Sequence, residues 1–286
     1  MDTNFWVIQT FNGLSYGALL FLLASGLSLI FGVMRIVNLA HGSFFLLGGY
    51  VALTVIWTTG SWLLALPVAA LVIAVVGLLM ERVFLRPLGF DPLRQVLLTV
   101  GFAYLFQQAA LDIWGGDNLD IIAPGMLKES VVVGGFYFPI YRAFMIGMAL
   151  VMGLILWLTM EKTRMGAMVR ATVDDSEMAR GVGIDTSRVS MFIFALGGFL
   201  AGLGGVIGGA FLGIYPGLDF EILPLAFAVV IIGGMGSLGG AAIGALLVGL
   251  ADNFGKALFP EVSYFTLYAP MAVILAVKPT GLFGRE

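Results

Sequence analysis

Cysteine is absent from the 286 residues, which removes disulfides, thiolate metal sites and cysteine nucleophiles together. Charge is nearly as scarce, at 11% of the chain, and a single histidine cannot supply the several ligands that a metal site needs. The 14 basic and 17 acidic residues leave a formal charge of −3, too small and too dispersed for a nucleic-acid surface. Basic residues are missing altogether before Arg35, and Met1-Asp2-Thr3-Asn4 lacks the positive start of a signal peptide, so the first apolar run is expected to stay as a helix. A polar stretch able to fold by itself is missing too. The longest, Glu161 to Arg188, has 28 residues, too few to bury a sizeable core or to form an enzyme domain.

What is present is apolar: 60% of the chain, together with 40 glycines. A soluble domain of this length could not hide that much apolar surface, so the solvent for most of the chain is lipid. Glycines that would weaken soluble helices instead let membrane helices approach closely. About 20 apolar residues cross the hydrocarbon as a helix, which predicts spans near 8–33, 42–57, 62–80, 95–114, 139–160 and 189–214, then shorter segments near 221–234, 239–256 and 264–277. The fold class is therefore all-α, a polytopic bundle of about 8–9 spans, read as one transmembrane domain over 1–286. The glycine-rich run Gly233 to Gly240 is either a tight turn between two short helices or a re-entrant break lining a cavity.

Orientation follows the basic residues of the loops. Arg35, Arg82, Arg86, Arg94, Lys162, Arg164, Arg170, Arg180, Arg188, Lys278 and Arg285 fall on one side, 11 of 14, leaving Lys128, Arg142 and Lys256 on the other. The acids Asp117, Asp120, Glu129, Asp219, Glu221 and Glu261 collect with those three. This predicts an outer N-terminus, a cytoplasmic C-terminus, and cytoplasmic loops at 81–95 and 161–188.

Within the second loop, Gly166 to Arg180 reads as one amphipathic helix with Met165, Met168, Val169, Val173 and Met178 on a broad face, ended by Gly181 and Gly183. Arg170 and Asp174 are spaced for a surface ion pair. Such a helix is either a solvated loop lying on the membrane or an element for a peripheral partner to grip.

Four stretches in order along the chain resemble permeases of the branched-chain amino acid ABC importer family. These are Gly32-Val33-Met34-Arg35-Ile36-Val37-Asn38-Leu39-Ala40-His41-Gly42-Ser43; Glu81-Arg82-Val83 with Arg86-Pro87-Leu88; Arg164-Met165-Gly166 through Val169-Arg170-Ala171, Asp174, Ala179 and Gly183-Ile184; and Pro279 to Arg285. The Gly233 to Gly240 run agrees, while Leu39 stands where an aromatic is common in that family. The resemblance implies a type II ABC importer-like permease working with a second permease chain, two cytoplasmic ATPase subunits that bind ATP and magnesium, and a periplasmic solute-binding protein. It also implies that Arg164, Gly166, Arg170, Asp174, Ala179 and Gly183 couple the chain to the ATPase, and Glu177 and Arg180 on the same helix are expected to fix its register there through polar contacts. Branched-chain amino acids are the implied solutes, with urea, short amides and other small organic molecules as alternatives within the same family.

Candidate pathway or gate residues are Asn38, His41 and Ser43, whose alternative role is to cap helix ends or satisfy a broken backbone segment. Gly197, Ala201, Gly205, Gly209 and Gly213, at four-residue spacing, form a stripe for helix packing or a flat pathway wall, and Gly236, Gly240 and Gly244 repeat it. Gly205, Gly209 and Gly236 are the glycines assigned to the pathway. Gln9, Asn12, Ser15, Tyr16, Gln107, Gln108, Asp112, Asp252 and Asn253 either line it or hydrogen-bond between helices.

A nucleotide loop at Gly249 to Ala257 fails, because five residues separate the glycines and Ala257 cannot ligate magnesium. Asp252 and Lys256 suit an ion pair instead. Few spans show an ionisable group, which disfavours a self-sufficient proton- or sodium-coupled carrier or channel, the remaining reading from another class.

Overall fold

The structure, a computed structural model, describes residues 3–89 and 91–284. Arg285, counted above among the cytoplasmic basic residues, lies outside the described residues, as do Met1 and Asp2 of the N-terminal segment. The elements run α1 (Thr3–Met34), α2 (His41–Thr59), α3 (Trp62–Leu79), α4 (Pro92–Trp114), a single turn α5 (Gly125–Lys128), β1 (Ser130–Val133), β2 (Phe136–Pro139) and α6 (Ile140–Lys162). They continue through α7 (Arg164–Asp174), α8 (Ser176–Gly181), α9 (Thr186–Leu212), α10 (Leu218–Gly233), α11 (Leu238–Leu258) and α12 (Ser263–Val277).

Among the described residues, seven helices are long and apolar enough to cross a membrane: α1, α2, α3 with its extension to Leu88, α4, α6, α9 and α11. α10 and α12, with 16 and 15 residues, are shorter. All nine runs anticipated from hydropathy are helical.

Side chains mark several helix starts. Ser61 accepts from Leu64 N at 3.3 Å, Asp91 from Arg94 N at 3.2 Å with Pro92 in the first turn, and Ser237 from Gly240 N at 3.0 Å. Each satisfies a backbone donor that the first helical turn leaves open.

α1 and α9 form the interior, while α4 and α6 turn Leu97, Leu105, Leu150 and Leu154 outward. Glycine brings the interior together. A methyl carbon built on Gly26 would lie 3.0 Å from Gly197 Cα, and one on Gly17 2.7 Å from the Ala245 carbonyl oxygen, so α1 meets α9 and α11 at backbone distance. The α9 stripe is shared between partners: Gly197 faces α1, Gly198 and Gly202 face α3, and Gly205 faces Phe45 and Gly49 of α2. Gly213 is not part of the stripe, since α9 ends at Leu212 and Gly213 takes φ 79°, a left-handed conformation natural to glycine.

The Gly233–Gly240 segment is a tight turn. α10 stops at Gly233, Gly234 and Gly236 adopt positive φ, and α11 restarts at Leu238, with the Gly233 and Gly240 backbones in contact. The C-terminal segment explains its own motif. Leu282 N and Phe283 N donate to the carbonyls of Ile232 and Gly233 at 2.9 Å each, closing the end of α10.

Three sequence readings need correction. Glu81 was assigned to a cytoplasmic loop, yet α3 continues through a wider π turn at Met80–Leu85 that rotates Glu81 inward and buries it. The segment before α6 carries a β1–β2 hairpin, paired from Ser130↔Pro139 to Val133↔Phe136, that hydropathy did not indicate. Asp219, grouped with the outer acids, is buried.

Candidate functional site

After α1 ends at Met34, Arg35 adopts φ 54° and the chain turns back into the bundle without helical structure. α2 therefore starts not level with the end of α1 but beside Leu23, eleven residues and about 16 Å back along that helix. His41 Nε2 lies 2.9 Å from the Leu23 carbonyl oxygen, Asn38 Oδ1 accepts from Ala40 N at 3.1 Å, and Leu39 N donates to Thr99 Oγ1 at 3.2 Å. These bonds replace water for an irregular segment, the condition under which such backbone is tolerated at depth.

α10 also starts inside the protein. The chain leaves α9 and takes a left-handed turn at Gly217 (φ 107°), so that α10 begins against the first turn of α2. A methyl carbon on Gly42 would lie 2.5 Å from the Asp219 carbonyl oxygen, and Ser43 Oγ donates to Asp219 Oδ2 at 2.8 Å. The structure thus joins Ser43 to Asp219, the residue that the sequence reading left in an outer loop, while His41 turns to Leu23 of α1 and Asn38 bonds to its own segment. Each is buried, and Asn38 Nδ2, His41 Nδ1 and Asp219 Oδ1 have no hydrogen-bond partner. With Glu81 and Asp252 also buried, the membrane region holds more ionisable groups than hydropathy suggested.

Next to this junction is a cavity of about 520 Å³, whose walls include Leu39, Ala103, Phe220, Leu223, Phe227 and Met271 from α4, α10, α12 and the segment before α2. Gly205 and Gly209 lie elsewhere, in contacts of α9 with α2 and with Ile121 and Ile214. Gly236 sits in the α10–α11 turn against Gly32, at the edge of a larger cavity of about 1250 Å³ between α1, α6, α7 and α11. Ser15 bonds within its own helix, Gln108 donates to Asp112 at 2.9 Å, and Asp252 pairs with Lys256 at 2.7 Å. The failed nucleotide run, Gly249 to Ala257, is ordinary helix in α11.

The segment after α6 is two helices where one was anticipated. Asp175, at φ −152° and ψ 106°, breaks the run, and its carboxylate accepts from Glu177 N and Met178 N at 2.9 Å to start α8. Thr163 caps α7 by accepting from Gly166 N at 3.1 Å, and the Gly166 backbone lies directly on the Thr159 and Met160 carbonyls. Arg170 donates to the Met160 carbonyl and approaches Glu161 at 3.7 Å, tying α7 to the last turn of α6.

The break resets the helical phase. Val169 and Ala179 are buried in the chain's own packing, whereas Met178 and Val182 are 66% and 71% exposed. Arg164, Asp174, Glu177, Arg180 and Gly183 are on the exposed side, Gly183 ending the segment at φ 89°.

Residues 9–275 match the family described as the branched-chain amino acid transport system permease component. The chain belongs to this family. It is similar to the high-affinity branched-chain amino acid transport system permease protein LivH of Escherichia coli (strain K12), with 31% identity covering 98% of this chain and 96% of the relative. Its identity to the permease protein BraD of Pseudomonas aeruginosa is 28%, over 97% and 95%. The autoinducer 2 import system permease protein LsrC of Yersinia pestis is 27% identical over 88% of this chain and 72% of that protein. No solved structure matches the chain. As a member of this permease family, the protein is a multi-pass membrane subunit of an ABC transport system.

Proposed function

We propose that this chain translocates branched-chain amino acids across the inner (cytoplasmic) membrane as one permease subunit of an ATP-driven importer. The observation that carries this reading is the nearly full-length similarity to high-affinity branched-chain amino acid permeases. Residues 1–286 act as one membrane unit and carry out no catalysis. ATP and magnesium bind two separate ATPase subunits, a periplasmic protein delivers the solute, and a second permease chain, identical or homologous, completes the pathway. The N-terminus is periplasmic and the C-terminus cytoplasmic, supported by the 11-to-3 division of basic residues.

Coupling is assigned to α7 and α8. Met178 and Val182 offer apolar contact to the ATPase, with Arg164, Asp174, Glu177, Arg180 and Gly183 around them. Gly166 and Arg170 hold α7 on the end of α6, and buried Ala179 seats α8, so ATPase closure moves α6 and α9 through a fixed lever. Asn38, His41 and Ser43 belong to the pathway or its gate, and Gly205, Gly209 and Gly236 give smooth contacts along which helices shift.

The test is solute uptake by proteoliposomes holding the permease pair, its ATPases and its binding protein. Leucine uptake that requires ATP supports the reading. Uptake by this chain alone without ATP establishes a self-sufficient carrier. The similarity to an autoinducer 2 permease favours a second reading, another small polar solute on the same machinery; uptake of urea, acetamide or autoinducer 2 with no uptake of leucine establishes it.

A further inference from the structure

We infer that Asp219 is a solute-recognition residue within the membrane, where its carboxyl group receives the ammonium of an amino acid passing the α2–α10 junction. The inference rests on the amino acid reading above and adds to it a site and a chemistry. A zwitterion needs an acceptor for its ammonium, donors for its carboxylate and an apolar surface for its side chain.

The junction and its cavity supply all three. Asp219 is 2% exposed; Ser43 holds Oδ2 at 2.8 Å and the backbone N–H groups of Gly217, Asp219 and Phe220 lie close to the carboxyl, yet Oδ1 itself completes no hydrogen bond. A buried oxygen left unsatisfied in this way costs stability unless it has a use. Of the other buried acids among the described residues, Asp252 is paired with Lys256, and Glu81, whose Oε2 also lacks a partner, sits in the π turn at the end of α3 and does not line this cavity.

Donors come from α2. Its first turn has no side-chain cap, and Asn38 Nδ2, wholly buried one residue before Leu39, is also unpartnered. Helix starts that meet inside a membrane are favourable places for an anionic group. The apolar surface is the cavity beside the junction. It is reached from Phe220, next to Asp219; from Leu223, against Gly42; and from Ala103, whose carbonyl oxygen lies 3.5 Å from Ser43 Oγ. With the α2–α10 contact closed, Ser43 holds the carboxyl and the route is shut. Neither Asp219 nor Asn38 lines the cavity in this arrangement, so the proposed site opens only when the two helix starts part.

The chain has no cysteine, so one reporter thiol reads the site directly. Phe220→Cys is introduced into the full transporter, and its alkylation rate by a small maleimide is followed with and without leucine, both with ATP and without. The binding protein is left out, so that leucine acts on the permease alone. Leucine is expected to slow alkylation severalfold in at least one nucleotide state. Asp219→Asn in the same background is expected to raise the leucine concentration for half-protection about tenfold or more, the loss of one charge-assisted hydrogen bond.

Equal protection in Asp219→Asn overturns the role of Asp219. Absence of protection by leucine, urea and acetamide overturns the site and leaves leucine uptake as a separate result. Protection by urea or acetamide but not by leucine overturns recognition of an ammonium. If Asp219→Asn does not assemble, Asp219→Glu replaces it: a shifted half-protection concentration supports the inference, and an unchanged one overturns it.

Discussion

The polar residues of this protein gather in two places that are built in opposite ways. At the α2–α10 junction, Asn38, His41, Ser43 and Asp219 turn inward, and neither helix start has a side-chain cap. In the α7–α8 segment both starts are capped, by Thr163 and Asp175, and the charged side chains face out. The difference is one of solvent. Where water is present, helix ends are finished locally and charged side chains stay on the outside. Where it is absent, each polar group needs a protein partner, and the groups left over mark places where something else binds or moves.

Substitutions can break this contrast, beginning with the largest effect. Gly42→Val is expected to abolish assembly, because its Cβ alone would lie 2.5 Å from the Asp219 carbonyl oxygen and 3.1 Å from Leu223 Cβ. Gly181→Val, where nothing lies within 4 Å, should keep its yield in detergent. Comparable yields for the two would remove the claim that the junction is tightly packed.

Next in size, Met178→Glu combined with Val182→Glu should leave insertion intact and eliminate copurification of the ATPase. Normal copurification would assign docking to another surface. Asp175→Ala should be milder, weakening the start of α8 by about 1 kcal/mol and lowering solute-stimulated ATP hydrolysis without abolishing it. No change in hydrolysis would show that the start of α8 plays no part in coupling.

The smallest effect is expected for His41→Gln, whose amide can still donate to the Leu23 carbonyl. Uptake is expected to persist, and its complete loss with normal assembly would show that the gate depends on the imidazole itself.

Much of the bundle could be read from the sequence, because runs of apolar residues and their basic flanks respond directly to the bilayer. The position of the polar segment between α6 and α9 was legible for the same reason. Its shape was not: hydrophobic spacing carried one helix through Asp175, although an aspartate two and three residues before backbone donors it can satisfy is itself a start signal. That missed break misdirected Met178 and Ala179. The first was assigned to the apolar face and is exposed; the second was assigned to partner contact and is buried.

Asp219 was missed for another reason. An acid between two apolar runs looks like a loop residue, and only the left-handed turn at Gly217 and the close approach of Gly42 show that α10 starts within the bundle. The glycine stripe was visible as spacing, but its division among α1, α2 and α3 depends on contacts far apart in the chain.

The central claim is that the outward-facing segment is a cytoplasmic seat for the ATPase while the inward-facing junction belongs to the pathway. A single cysteine at Val182, probed with a membrane-impermeant maleimide, tests it most directly. The account predicts no labelling in intact spheroplasts, labelling in inside-out vesicles stripped of ATPase, and protection when the ATPase is added back. Labelling from the periplasmic side, or equal labelling with and without bound ATPase, would contradict it.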